Sequence, residues 1–463
     1  MINFHLSRDD FEYDVRGLLM SFFPGEEFVK NQEEDAAPEE KAELTIEIPE
    51  GEGEDRIAQK NDMKRKLYHQ LAAMTGKTLP WGALTGIRPT KIAMGFLEAG
   101  MSREEICREM ESFYLVSPEK AALAADIAFR EKEILKNIDY EQGYSLYIGI
   151  PFCPTTCLYC SFTSYPMSRW APRMGEYLDA LFREIDWAAE HFKGRKLNTI
   201  YIGGGTPTSL SPELLDRLLT KVSDSFDFSD LQEFTVEGGR PDSITTEKLQ
   251  VLKKHPVTRI SINPQTMQEE TLRRIGRRHS VEDIRQAYQM ARDLGFDNIN
   301  MDLILGLPGE MPEDVADTIH QLKELRPDNL TVHSLAVKRA SRLKMEAAGT
   351  VVAGGTQEES EEMMRIASEG AARMGLAPYY LYRQKNMAGN LENVGFASEG
   401  KAGIYNILIM EEKQDIVALG AGTVSKHIYA DGRIERCDNV KAVEQYMERI
   451  DEMIGRKEKL YRD

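Results

Sequence analysis

From residue 145 onward the chain alternates between two hydrophobic periods, and that alternation decides what it can fold into. Six short apolar segments recur, Leu146–Ile150, Thr199–Ile202, Glu233–Val236, Arg259–Ile262, Ile299–Leu305 and Leu330–Leu335. Between them lie helical patterns, Met174–Phe192, Pro212–Phe226, Thr245–Lys254, Val281–Leu294 and Pro312–Leu325. Several open on a cap: Ser211 precedes Pro212 and Glu213, and Ser280 precedes Val281, Glu282 and Asp283. A serine there can accept from an otherwise orphaned N–H of the first turn. Strand alternating with helix means βαβ units and a parallel sheet, which right-handed crossovers wind into an open or partial barrel. The spacing therefore predicts an α/β fold, a partial (β/α)6 barrel over 141–345, with reactive residues at the C-terminal ends of its strands.

The flanks read differently. Residues 1–140 are expected to form an α+β extension, with a strand over Ala42–Ile48 and helices over Asp62–Thr75 and Ser102–Leu135. Residues 346–463 read as a second α+β domain, with a helix over Glu358–Met374, strands at Tyr379–Tyr382 and Ile416–Leu419, and a terminal helix from Val440. The whole chain of 463 residues carries 58 Lys+Arg against 76 Asp+Glu, a net of −18, of which −11 falls in residues 1–60. Affinity built mainly on neutralising phosphates is disfavoured by that balance, so nucleic acid is not the expected partner. A local basic pocket for an anionic small molecule is compatible with it. No run of 18 apolar residues and no signal-peptide core is present, so the expectation is a cytoplasmic protein with no membrane partner.

Three of the five cysteines fall in one loop directly after the first predicted strand, as Cys153-Pro-Thr-Thr-Cys157-Leu-Tyr-Cys160. An odd count in a long intracellular chain is no disulfide framework. Three thiolates can hold three irons of a cubane cluster and leave one iron open to a further ligand. A zinc knuckle or a buried group of free thiols is the competing reading, although zinc sites usually pair their cysteines and reach four ligands. Cys107 and Cys437 lie in the flanking regions and read as ordinary thiols. The second strand runs into Gly203-Gly204-Gly205-Thr206-Pro207-Thr208, where the backbone can approach a ligand closely.

The C-x3-C-x2-C spacing after strand one resembles the mark of the radical S-adenosylmethionine superfamily. That resemblance implies a radical SAM-type partial barrel, a [4Fe–4S] cluster on Cys153, Cys157 and Cys160, and S-adenosylmethionine chelated to the open iron. Cleavage of its C5′–S bond then yields a 5′-deoxyadenosyl radical, the hard chemistry being the cofactor's. Residue by residue it implies that Gly204, Gly205 and Thr206 meet the methionine amino group, and that Glu237 takes the ammonium or a ribose hydroxyl. Gln265 and Arg277 follow strand four, the arginine fork suiting the methionine carboxylate, and Asp302 on strand five would accept from the ribose. Tyr159 resembles an aromatic shield over cluster and adenine; Tyr147 and Ala336 are further carry-overs.

Within the superfamily, Ile150-Pro-Phe-Cys153, Gly203-Gly-Gly-Thr-Pro-Thr208 and Asp302-Leu-Ile-Leu-Gly-Leu-Pro308 resemble the oxygen-independent coproporphyrinogen III oxidase (dehydrogenase) group. Leu79–Lys91, Val236–Ser243 and Val332–Ala340 resemble its firmicute-type branch. The resemblance implies that the radical abstracts a β-hydrogen from a propionate, and that loss of CO2 and one electron leaves a vinyl. Two rounds would give protoporphyrinogen IX. The implied partners are a tetrapyrrole substrate and a reduced electron carrier of flavodoxin or ferredoxin type. A macrocycle with four carboxylates calls for cations, and Arg240, Lys338, Arg339 and Arg383 are the candidates, with Tyr379, Tyr380 and Tyr382 as candidate walls. Two positions depart from the best-known oxidases: Gly149 stands where they have His, and Phe162 where they have a fourth cysteine. Phe162 is shared with the related haem chaperones, whose His-Asn motif appears here as Tyr405-Asn406. A haem-binding role, or action on another tetrapyrrole, is the alternative. His333 and His279 lie nearest the expected site and read as core or surface residues, since no paired spacing for metal ligation accompanies them.

Overall fold

The computed structural model describes residues 1–30, 44–48, 56–161, 164–336, 355–384 and 391–462, which divide into two compact units. The first comprises Met1–Arg130 with Leu381–Glu392, and the second Glu131–Tyr380 with Asn393–Asp463.

In the first unit, strands β1 (Ile2–Leu6), β2 (Phe28–Lys30) and β3 (Leu44–Ile46) form a parallel sheet in the order β2-β1-β3. The helix Glu12–Phe22 covers it, burying Val15, Leu18, Leu19 and Phe22. Those four positions recur at the i, i+3, i+4, i+7 spacing of one helix face, with Tyr13 exposed on the other side. The helix Arg56–Thr75 closes the same core through Met63, Leu67 and Leu71. Further along, Trp81 donates its indole N–H to Glu392 Oε2 at 2.7 Å, and Lys120 reaches Glu392 Oε1 at 2.7 Å. This buried carboxylate is therefore both paired and hydrogen-bonded, as burial of a charge requires.

The second unit holds β4 (Gly143–Ile150), β5 (Phe152–Cys153), β6 (Tyr165–Pro166), β7 (Lys196–Gly204), β8 (Glu233–Gly239), β9 (Arg259–Ile262), β10 (Ile299–Leu305) and β11 (Asn329–Ser334). After them come β12 (Ala377–Tyr382, whose last two residues belong to the first unit), β13 (Asn393–Ala397), β14 (Asp415–Leu419), β15 (Val424–Ile428) and β16 (Ile434–Asp438). Six consecutive parallel strands, β4, β7, β8, β9, β10 and β11, stand side by side in chain order. These are the six segments read from the sequence, and the helices between them match to within a residue at either end. Their strands are buried almost throughout, as expected of parallel strands covered on both faces. The caps form as expected: Ser211 accepts from Leu214 N, and Ser280 forms a reciprocal box with Asp283.

Strands expected in a separate C-terminal domain belong to the same sheet. β14 pairs parallel with β4, and β13 pairs antiparallel with β11, giving the order β12-β13-β11-β10-β9-β8-β7-β4-β14-β15-β16. The sheet described is open, with β12 and β16 at its ends.

One buried carboxylate ties the C-terminal segment to the barrel. Glu184, on the helix Met174–His191, accepts from Lys457 Nζ (2.5 Å), Tyr446 OH (2.6 Å), Gly420 N (2.7 Å) and Asn439 Nδ2 (2.8 Å). Both ionised partners are fully buried. Glu184→Ala would leave the Lys457 ammonium buried and unpaired, a defect that costs about 3–5 kcal/mol. Urea unfolding of the apoprotein should show that loss, and Glu184→Gln combined with Lys457→Met should lose less. Equal losses would mean that the charge pair is not the origin of the effect.

Candidate active site at the strand ends

The site begins where β4 and β7 end together. Ile150 is paired with Gly204, and beyond that register Gly205 N donates to Ile150 O at 2.8 Å and Thr206 N to Phe152 O at 2.7 Å. A Cβ on Gly205 would stand 2.7 Å from Phe152 O, and Gly204 holds a φ of +107°, so both positions need glycine. The glycine run thus lets the two strand ends touch. This packing sets the starting point of the cysteine loop. The loop returns through β6, with Tyr165 N on Pro151 O at 2.8 Å, and its tip is fixed by Leu158 N on Ile275 O at 3.0 Å. Leu158 and Tyr159 pack against Ile275, Ile304, Leu307 and Leu335, beneath the ends of β10 and β11.

The sulfurs meet polar donors. Thr206 Oγ1 lies 3.4 Å from Cys153 Sγ, and Arg240 Nη1 lies 3.6 Å from Cys157 Sγ. Burial pushes the Cys153 thiol up to about 11, the Thr206 hydroxyl opposes that, and nearby Cys160 and Cys157 add to it. Metal would reverse this preference, since coordinated thiols are deprotonated. Among the described residues no three Cys, His, Asp or Glu side chains converge as ligands of a single ion. A four-iron cube holds its thiolates further apart than one ion does. Three thiols on one short loop, with donors already aimed at two of them, are a donor set that suits such a cluster.

The following strands contribute carboxylates, phenols and amides. Tyr147 on β4 and Tyr201 on β7 are register partners with rings stacked at 6.0 Å, and Tyr405 lies against both, at 6.1 and 4.6 Å. Tyr201 OH donates to Glu237 Oε1 at 2.6 Å. Burial pushes Glu237 from its ordinary 4.5 to about 7; the Tyr201 hydrogen bond works against that, and the negative Asp302 works with it. Asp302 accepts from Asn300 Nδ2 at 2.7 Å and faces His333 Nε2 at 3.9 Å. Burial pulls the His333 imidazole below its ordinary value, with Asp302 opposing.

Gln265 sits at φ +69°, where its backbone bridges to β10 through Asp302 O and Ile304 N, both at 2.9 Å. Its Oε1 is buried without a protein partner, as is Asn263 Oδ1. A non-glycine residue held left-handed and an unmet buried acceptor are features that cluster at ligand sites, and they fit a donor such as the ammonium of S-adenosylmethionine. Arg277 is also buried, with Nη1 on Asn263 O at 2.5 Å and Nη2 on Tyr159 OH at 3.1 Å, while its Nε has no partner. Ala336, half-buried, lies just past β11.

The expected substrate cations are placed variously. Arg240 is only 3% exposed, and Asp242 grips its fork. Arg383 lies in the first unit, buried, donating to Leu84 O at 2.7 Å over the Trp81 ring. Lys338, Arg339 and Phe162 lie outside the described residues. Tyr379 and Tyr380 are buried. Sequence reasoning did not place Tyr201 or Tyr405 beside Tyr147, and it noted Tyr405 only at the position of the chaperone motif's histidine. Tyr201 had a signal, since it stands two residues before the glycine run on an inward position; Tyr405 arrives from the helix Ile404–Glu411, and only the tertiary fold brings it there.

Comparison with known proteins bears on this arrangement. Residues 147–322 match the Radical SAM superfamily. The chain is 45% identical over 399 residues to the oxygen-independent coproporphyrinogen-III oxidase-like protein HemZ of Bacillus subtilis, covering 85% of this chain and 79% of that one. It is 33% identical over 318 residues to the haem chaperone HemW of the same organism, covering 66% and 76%. Among solved structures, coproporphyrinogen III oxidase (HemN) of Escherichia coli, a radical SAM enzyme, matches with a TM-score of 0.56 at 24% identity over 70% of this chain and 73% of that one. That likeness establishes the α/β fold.

A carboxyl raised from 4.5 to about 7 leaves the folded state binding more protons than the unfolded one between those values. The stability Glu237 contributes is complete below 4.5 and lost as pH rises through about 7. Thermal melts of wild type and Glu237→Gln, without S-adenosylmethionine, should therefore shift relative to each other between pH 4.5 and about 7, with wild type losing ground as pH rises and the difference levelling off above that. Parallel curves would remove Glu237 as the titrating group.

Proposed function

We propose that this chain, which belongs to the radical SAM superfamily and within it to the oxygen-independent coproporphyrinogen-III oxidase-like proteins, is an oxidoreductase acting on coproporphyrinogen III. It converts two propionates to vinyls and so forms protoporphyrinogen IX. The observation that carries this reading is the cysteine loop, pinned to the end of the first parallel strand with Glu237 and Asp302 on the strands that follow. Cys153, Cys157 and Cys160 would hold a [4Fe–4S] cluster. When bound, that cluster and S-adenosylmethionine supply a 5′-deoxyadenosyl radical.

This chain's own residues bind, orient and shield. Glu237, ionised above about pH 7, and Asp302 receive the ammonium and ribose hydroxyls. The unmet Oε1 of Gln265 accepts a further N–H, and the free Nε of Arg277 donates to the methionine carboxylate. Gly204, Gly205 and Thr206 present backbone at the mouth of the loop, while Tyr147, Tyr159 and Ala336 line the cofactor. Lys338 and Arg339, which follow β11 in the chain, anchor substrate propionates. Transfer of a β-hydrogen atom from a propionate to that radical would give 5′-deoxyadenosine, and loss of CO2 with one electron passed to an oxidised electron acceptor would then leave the vinyl. A reduced carrier of flavodoxin or ferredoxin type supplies the electron that starts each round.

Similarity to a haem chaperone supports a second reading, in which the tetrapyrrole is bound and handed on. Against it, Tyr405 stands where the chaperone motif has histidine, and it is buried in the tyrosine stack.

The deciding assay is anaerobic: reconstituted protein, dithionite, S-adenosylmethionine and coproporphyrinogen III, followed by mass spectrometry. Stepwise loss of two carboxyl groups matched by 5′-deoxyadenosine is the expected result. Formation of 5′-deoxyadenosine with the porphyrinogen untouched, together with stoichiometric haem binding, would favour the second reading. Replacing Lys338 and Arg339 by Ala should each raise KM for the porphyrinogen about tenfold to a hundredfold, the worth of one charged hydrogen bond, with the cluster absorbance unchanged. An unaltered KM in both variants would remove them from the substrate site.

A further inference from the structure

Arg240 stands at a strand end, where a cation for the substrate is expected, yet its guanidinium has no group to spare. Nε and Nη2 grip Asp242 side-on at 2.9 and 2.6 Å. Nη1 donates to Thr155 Oγ1 at 2.7 Å, to Thr155 O at 3.3 Å and to Cys157 Sγ at 3.6 Å. Thr155 and Cys157 both belong to the cysteine loop. The turn Pro241–Ser243, closed by Ser243 N on Arg240 O at 3.0 Å, places Asp242 where it can hold the fork. Behind Asp242 stands the buried His279, with Nδ1 3.7 Å away.

We propose that Arg240 is a positioning residue for the iron–sulfur cluster: pinned by Asp242, it sets the cluster's reduction potential through its hydrogen bond to the Cys157 sulfur. The inference rests on the cluster reading above. Reduction adds one negative charge to a cluster and its thiolates. A fixed guanidinium N–H on a ligand sulfur favours that added charge, and hydrogen bonds to sulfur are among the determinants of such potentials. Low local dielectric strengthens the effect, because Arg240 and Cys157 are both buried. Asp242 has the opposite sign and acts from the far side of the guanidinium. Removing the cation and removing its counter-charge should therefore move the potential in opposite directions, which a merely structural role would not do.

The test is an anaerobic redox titration of the reconstituted cluster, without S-adenosylmethionine, followed by electron paramagnetic resonance. Iron and sulfide per chain are measured on each variant. Arg240→Met is expected to shift the midpoint to more negative potential and Asp242→Asn to more positive potential, with Arg240→Lys between wild type and Arg240→Met. Variants that keep the cluster at the wild-type potential, or shift it in one common direction, would overturn the proposal. Should Arg240→Met lose its cluster, Arg240→Lys and Asp242→Asn decide by the same criterion. A wild-type chain that holds a cluster but leaves coproporphyrinogen III untouched removes the substrate reading and leaves Arg240 in place. A wild-type chain that takes up no cluster overturns both.

Discussion

The carbonyl of Phe152 accepts from Thr206 N and from Ser209 Oγ, at 2.7 and 3.1 Å, and the barrel mouth is laid out from that point. Two parallel strands normally diverge into loops once their ladder ends. Here the ladder is prolonged beyond Ile150 and Gly204 because the second strand ends in residues without side chains. Phe152 is fully buried, with its ring edge-on to Tyr177 at 5.2 Å, and Tyr177 OH in turn donates to Gly149 O at 2.6 Å. The residue before Cys153 is thus held by backbone, ring and hydroxyl together. A side chain on Gly205 would displace that carbonyl and carry the thiol loop with it.

Much of the barrel was legible because its demands on sequence are local. Parallel strands covered on both faces must be apolar throughout, and the helices between them must bury one stripe and cap their ends. Each demand leaves a local mark, so helix limits could be read to a residue and strand limits to within about three. Pairing between distant segments leaves no such mark. The strand Asp415–Leu419 was readable as a strand, but nothing within it says that its neighbour is β4, some 270 residues earlier. β1 is only five residues long, Ile-Asn-Phe-His-Leu, and the apolar stripe of the helix Glu12–Phe22 is broken by Arg16 and Gly17.

Site residues divide along the same line. Cysteine spacing, the glycine run and an acid at a strand end are local, and the structure places them together. Whether a cation is available is not local. Arg240 and Arg383 have the right residue type, but Asp242 has taken one fork and the Leu84 carbonyl and Trp81 ring have taken up the other. For Arg240 a warning did exist in the sequence, since Arg-Pro-Asp favours a tight turn that returns the acid onto the arginine.

Cations stand at two places around the strand ends of the second unit, Arg259 beside Glu233 and Glu237, and Arg240 with Arg277 beside Cys157. Glu237 and Asp302 stand with the phenols of Tyr147 and Tyr201, whereas Arg240 and Arg277 flank Cys157. A chain of net charge −18 has placed two of its cations beside a single thiol. Each is also tied to the loop that bears that thiol, Arg240 through Thr155 and Arg277 through the Tyr159 hydroxyl. Their other attachments are to β8's exit turn and to the carbonyl of Asn263 after β9. The loop is therefore clamped to β4 and β7 at its root, and to the ends of β8 and β9 along its length. Two neutral side chains of similar size could supply the packing. Only cations supply, in the same contact, both the clamp and a favourable field for electron-rich sulfur, and this explains why arginines occupy positions that are too enclosed to meet a solvent-borne substrate.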